Sequence, residues 1–287
     1  MPQLPVFDRL CFGTAGLPAE DAEARDYTGG LTRLHAAGLS ALELEFVQEI
    51  HLTPSQAEVV GRTAAKLGIH LSAHASYYVN LASAERPKVH ASVTRIVKAA
   101  RVLHAAGGHS VVFHAAFYQG RRKEEVYSQV ARGLAELEQT LAQAGVQVWI
   151  RPELTGKPTQ FGDPAELIRL SQEFATVLPC LDFSHLHARF AGRYNSVAEW
   201  EPLLDQLEAE VPREKQVFKR LHIHLSGIDY SAKGERKHLP LAESDLAYRE
   251  LIQLLKRRGA GGIVVCEGPR PVAVSDAQAL QAAYDSA

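Results

Sequence analysis

A chain of 287 residues with 46% apolar content can bury a full core, and its formal net charge of −2 excludes a bulk polycation that grips nucleic acid by overall charge. Its three cysteines, Cys11, Cys180 and Cys266, stand far apart in apolar runs, so the pattern excludes a disulfide framework or a Cys-x-x-Cys metal site and predicts reduced core thiols. The opening MPQLPVFDRL has no basic segment followed by an apolar stretch, and no run reaches bilayer length, so the expectation is a cytoplasmic protein with no membrane partner.

In chain order, short apolar runs alternate with longer stretches of helical periodicity. Strands are expected at 10–13, 41–46, 70–74, 110–114, 147–152, 177–182, 220–225 and 262–266. Helices are expected near 22–37, 54–67, 86–106, 123–144, 163–175, 197–209, 245–258 and 275–284. The fourth helix is the clearest, because Val126, Val130, Leu134, Leu137 and Leu141 fall on one stripe. Helix starts are marked by Thr53 before Pro54, by Asp163 before Pro164, and by Ser275 ahead of Asp276. Strand then helix, repeated eight times, is the α/β pattern of a (β/α)₈ TIM barrel, expected here as a single domain over 1–287.

The strand ends carry the chemical signal. LELEF ends near Glu45, IHLSAH at His74, SVVFH at His114, VQVWIRPE at Glu153, LPCLD at Asp182, RLHIH at His224 and IVVCE at Glu267. In a parallel barrel these ends converge on one rim, where chemistry is carried out. A lone histidine there is usually structural, and Glu45 reads as a cap or solvated charge. The set is what argues for a metalloenzyme, since imidazole and carboxylate are the ligands that suit zinc, manganese and iron. His185, three residues after Asp182, can turn into the same site. His222 and His224 share one strand face, and His224 lies nearer the functional end. His51, His70, His90, His104, His109 and His187 read as structural.

HASYYVNL at 74–81, VFH at 112–114, PELTG at 152–156, CLDFSH at 180–185, HIHL at 222–225, RKH at 236–238 and CEGP at 266–269 resemble, in order, the motifs of the endonuclease IV family of abasic-site DNA repair enzymes. The resemblance covers most of the chain from residue 70 onward. It implies a barrel with a three-zinc site that cuts DNA 5′ to an abasic site. By motif, His74 and His114 would hold one metal, which Glu153 would bridge to a second. Asp182, His224 and Glu267 would complete the second, and His185 and His238 would belong to a third. Glu153 and Glu267 would be the catalytic carboxylates. Two or three zinc ions are expected, with manganese or iron as alternatives.

DNA or phosphate contacts are expected from Arg121 and Arg122 after the fourth strand, from Lys233 and Arg236 after the seventh, and from Tyr77 and Tyr78 beside an abasic gap. The chain also departs from the family. Arg236 stands where the family has an aspartate ligand two residues before the last histidine, so the third metal position is expected to be empty or weakly occupied. The family's His-Pro-Gly is His114-Ala115-Ala116, HLSG stands at 224–227, CFGTAG lacks an early histidine motif, and FVQEIHLTP lacks a basic DNA-inserting segment. A second enzyme class therefore stays open. Sugar isomerases and 3-epimerases of the same superfamily hold one ion with a Glu, Asp, His, Glu set that Glu153, Asp182, His224 and Glu267 could supply, acting on a small sugar by proton exchange. A metal-binding barrel without turnover is the third class.

Overall fold

A computed structural model describes residues 4–286. From the N-terminus it runs β1 (Leu10–Ala15), α1 (Ala19–Ala22), α2 (Tyr27–Ala36), β2 (Ala41–Glu45), α3 (Pro54–Leu67), β3 (His70–His74) and α4 (Arg86–Ala105). Next come β4 (Ser110–Phe113), α5 (Lys123–Gln143), β5 (Trp149–Pro152), α6 (Pro164–Glu173), β6 (Leu181–Asp182), α7 (Phe183–Arg189) and α8 (Val197–Glu210). The chain ends with β7 (Leu221–Leu225), β8 (Gly227–Ser231), β9 (Gly234–Leu239), α9 (Tyr248–Arg257), β10 (Gly262–Cys266) and α10 (Ala273–Asp285).

Eight strands form one parallel sheet in the order β5-β4-β3-β2-β1-β10-β7-β6. Parallel bridges Ile150–Val177 and Glu153–Cys180 then join β5 to the β6 segment and close the (β/α)₈ barrel. Covered on both faces, the strands are buried almost throughout, as parallel strands require. The α5 stripe of Val126, Val130, Leu134, Leu137 and Leu141 is fully buried against the barrel. Inside the barrel's N-terminal end, Phe7, Ala41, Ile263 and Val265 pack as a small separate core. At Gly13 a Cβ would lie 1.7 Å from the Ala41 carbonyl oxygen, so β1 reaches β2 only without a side chain there.

The helix starts follow their local chemistry. Thr53 and Asp163 form capping boxes with Gln56 and Glu166, each with proline in the first turn of its helix. Ser275 is not a start: α10 opens two residues earlier, at Ala273, and the Ser275 hydroxyl donates to the Val272 carbonyl. Three elements were not expected. The short α7 follows β6 directly, because the Asp182 carboxylate accepts from the His185 amide at 2.7 Å and so caps a helix at the strand end. The antiparallel hairpin β8–β9 stands where only a loop after the seventh strand was expected. The α1 turn precedes α2.

Candidate metal centre

Strand register sets the level of the site. In the ladder Glu45 pairs with His74, Asp182 with His224, and Phe113 with Pro152, one residue before His114 and Glu153. Glu267 follows the last residue of β10. The strand ends therefore deliver these side chains to one rim of the barrel. His185 arrives from the first turn of α7, and Glu235 and His238 from the second arm of the hairpin.

Three donor sets result at the rim, each with ligand atoms within 4.8 Å of one another: His74, His114 and Glu153; Glu153, Asp182, His224 and Glu267; and His185, Glu235 and His238; a fourth, fully buried grouping joins Cys180, His222 and His224. Glu153 joins the first two. Its Oε2 lies 3.1 Å from both His74 Nε2 and His114 Nε2, and its Oε1 lies 3.1 Å from His224 Nδ1 and 3.4 Å from His185 Nδ1. Glu267 Oε1 is 3.2 Å from His224 Nδ1, and Glu235 Oε2 is 3.6 Å from His185 Nε2.

Hydrogen bonds orient the imidazoles. His74 Nδ1 meets the Ala75 carbonyl at 2.8 Å, His185 Nδ1 the Leu154 carbonyl at 3.0 Å, and His238 Nδ1 the Glu267 carbonyl at 2.8 Å. A carbonyl only accepts, so each Nδ1 carries a proton and Nε2 is the nitrogen turned toward the site, with a lone pair to offer once the ring is neutral. His224 is turned the other way. Its Nδ1 faces the site, and its Nε2 lies 2.9 Å from Glu43 Oε1 inside the barrel.

The electrostatics suit a cation. Burial works against charge on His74, yet the adjoining Glu153, with Glu43 and Glu267, raises its pKa to about 9. Against the same burial, Asp182 and Glu153 hold His185 well above the usual imidazole range, and Cys180, Glu267 and Glu43 do the same for His224. Burial, reinforced by Glu267 and Glu153, pushes Asp182 up to about 7 despite the facing His185. Protons thus gather where positive charge is needed. Asp182 Oδ2 is buried without a hydrogen bond, although His185 Nδ1 lies 3.0 Å away. An orphaned carboxylate oxygen among imidazoles fits a divalent ion, and this donor chemistry suits zinc, manganese or iron.

The structure brings together all eight residues expected as ligands: His74, His114, Glu153, Asp182, His185, His224, His238 and Glu267. The carboxylate missing at Arg236 is supplied one residue earlier, by Glu235. The Arg236 guanidinium instead points outward, 3.5 Å from Asp229. From the sequence, Glu235 was the neighbour that could swing in at this position, and the irregular hairpin, with its register shift at Asp229 and Tyr230, turns it inward. Glu43 was missed. Its signal was present, because a charge in the middle of the apolar run ALELE falls on the inner face of a buried parallel strand.

The expected DNA-contacting residues divide. Tyr77 and Tyr78 are 63% and 68% exposed beside the site, with the Tyr77 ring 6.2 Å from that of His74. Lys233 and Arg236 are exposed on the hairpin. Arg122 is exposed where α5 begins, but Arg121 is tied down: it donates to Gln129 Oε1 at 2.7 Å and to the Phe117 and Tyr118 carbonyls at 3.2 Å. The role of Arg121 is thus to staple its own loop. The site opens into a cavity of about 280 Å³ lined by His74, Tyr77, His114, His185, Glu235, His238 and Glu267 together with Glu43 and Glu45. Among the described residues no helix is long and apolar enough to cross a membrane.

Comparison with known proteins places this geometry in context. The chain is 40% identical over 260 residues to an uncharacterized protein of Methanocaldococcus jannaschii, covering 91% of this chain and 92% of that one. In structure it is similar to endonuclease IV from Thermus thermophilus, with a TM-score of 0.72 and 20% identity over 96% of this chain and 100% of that one. It is equally similar to a D-tagatose 3-epimerase-like protein, with a TM-score of 0.72 and 16% identity over 96% and 98% of the two chains. D-psicose 3-epimerase from Clostridium cellulolyticum shares the fold at a TM-score of 0.68 and 13% identity, over 96% and 99%. At such identities these structures speak for the barrel, whereas the family model matched by residues 31–285 is that of the xylose isomerase-like TIM barrel, and the chain belongs to that family.

Proposed function

We propose that this protein is a metal-dependent phosphodiesterase resembling endonuclease IV, which cleaves DNA on the 5′ side of abasic sites in the cytoplasm. One observation carries the reading. His74 and His114 complete a donor set of their own around Glu153, a set that a one-ion sugar epimerase does not require. A third set at His185, Glu235 and His238 points the same way.

When bound, divalent ions supply Lewis acidity toward a phosphoryl oxygen and favour ionisation of water at neutral pH. The chain's own residues do the rest. Glu153 holds the first and second sets in register through its two oxygens, and Glu267 with Asp182 gives the second set its negative charge. His74, His185 and His238 keep their Nε2 lone pairs aimed by backbone hydrogen bonds. Tyr77 and Tyr78 offer exposed rings for stacking beside a missing base, and Lys233 and Arg236 offer charge to the backbone phosphates.

A second reading, a 3-epimerase acting on a small sugar, draws on the cavity of about 280 Å³, which suits a small molecule, and on the missing basic segment after β2. There Glu153 and Glu267 would act as the acid and base. The deciding experiment measures metal content by elemental analysis and strand cleavage on a duplex carrying an abasic-site analogue. Two or three zinc ions per chain with cleavage support the phosphodiesterase. One ion, intact DNA and interconversion of a free ketose with its 3-epimer would replace it, and a bound ion with neither activity would leave a silent metal-binding barrel.

A further inference from the structure

Among the histidines of the donor sets, His74, His185 and His238 each fix their outer nitrogen on a backbone carbonyl. His224 has no such carbonyl. Its outer nitrogen, Nε2, lies 2.9 Å from Glu43 Oε1 but off the line of a hydrogen bond, and both atoms are buried with no other polar atom to satisfy them. Glu43 is itself held in place. Its Oε2 accepts from the Ser72 hydroxyl at 2.7 Å and meets His222 Nε2 at 2.9 Å, and all of these side chains are buried.

We infer that Glu43 is the positioning residue of the second donor set: it fixes His224 as the tautomer with the proton on Nε2, so that Nδ1 presents its lone pair to an ion shared with Glu153, Asp182 and Glu267. This rests on the metal-centre reading and extends it one layer down the barrel. The geometry explains why a charge sits in the middle of β2. A buried carboxylate would be costly unless paired, and here its partners are one hydroxyl and two imidazole edges. A carboxylate behind an imidazole also raises the basicity of the nitrogen that binds metal. His222 serves as a second anchor for Glu43, with its Nε2 2.9 Å from the carboxylate.

The test uses Glu43→Gln, which keeps the size of the side chain but loses its charge and leaves one acceptor oxygen where two imidazoles and a hydroxyl converge. Zn²⁺ and Co²⁺ affinity would be measured by competition with a chromophoric chelator, alongside the visible absorption spectrum of the Co²⁺ form and the melting temperature of the metal-free protein. Affinity at one site should fall about 10- to 100-fold with a changed Co²⁺ spectrum, the usual effect of losing such a partner. Unaltered affinity and spectrum, even with a lowered melting temperature, would mean that Glu43 is merely structural and would overturn the inference. A second measurement does not depend on the variant folding. Long-range ¹H–¹⁵N NMR of the unmodified Zn²⁺ protein should show His224 protonated at Nε2, and protonation at Nδ1 would sink the idea. If the unmodified protein takes up neither ion, the metal-centre reading itself fails and the inference falls with it.

Discussion

Replacing Glu153 by glutamine puts the greatest strain on the proposed centre, because one residue serves two donor sets. Glu153 is 1% exposed, and its two oxygens face His74 and His114 on one side and His224 and His185 on the other. Unit charges about 4 Å apart at an effective dielectric of about 20 interact by about 4 kcal/mol. Glutamine still offers a carbonyl oxygen, so about half of this, about 2 kcal/mol, is lost at each set, equivalent to about 30-fold in ion affinity. If both ions are needed together, cleavage should fall by about 10³-fold. The assay is cleavage of a labelled duplex with an abasic-site analogue, run beside elemental analysis of the dialysed variant and DNA binding by anisotropy. Binding should suffer less than cleavage, since the exposed tyrosines and hairpin cations are untouched. A Glu153→Gln protein that retains its full ion content and cuts within about threefold of the unmodified enzyme would refute the bridging role.

The third donor set makes a paired prediction: Glu235→Gln should lower the number of ions retained after dialysis, whereas Arg236→Ala, whose guanidinium faces Asp229, should leave it unchanged. Equal ion counts in the two variants would contradict the assignment. The pH dependence of the metal-free protein follows from His74, whose pKa is raised to about 9 by Glu153 against the effect of burial. A raised imidazole gives stabilisation that is complete below about pH 6.5 and lost as pH climbs through about 9, worth about 3 kcal/mol. Melting temperature should therefore drop over that window in metal-free protein and much less in the zinc form, and identical profiles would count against a carboxylate site that takes up protons in place of ions. At the rim, Arg121→Ala should chiefly lower thermal stability through the 117–122 loop, while the triple change Lys233→Ala, Arg236→Ala, Lys237→Ala should weaken DNA association and flatten its salt dependence. Reversal of those two outcomes would return Arg121 to the DNA-binding surface.

The barrel was legible because its signals are local and repeated: apolar runs of strand length, the α5 stripe, and the Thr53 and Asp163 caps all act within a few residues. The convergence of the strand-end side chains was legible for a topological reason, since a parallel barrel collects its C-terminal ends whatever the loops do. Reading failed where placement depends on partners distant in sequence. Nothing local to GERKHL says that β9 will fold back on β8 and turn Glu235 rather than Arg236 toward His185. Glu43 becomes intelligible only once Ser72, His222 and His224 surround it, residues that lie 29 or more positions away. Arg121 looked available because a run of cations gives no hint of which guanidinium its own loop carbonyls will occupy.

The β8–β9 hairpin gives the centre an uneven architecture. The first two donor sets hang on strand ends that neighbouring strands lock on either side, but the third takes two of its three residues from an arm that leaves the barrel wall after Ser226 and returns at Pro240. That arm is a module. Exchanging or trimming it would alter the third position and the exposed cations Lys233, Arg236 and Lys237 in a single event, while the pair of sets around Glu153 kept its frame. In a barrel of this kind, ion count and surface charge can thus diverge between relatives through one insertion, without any strand being rewritten.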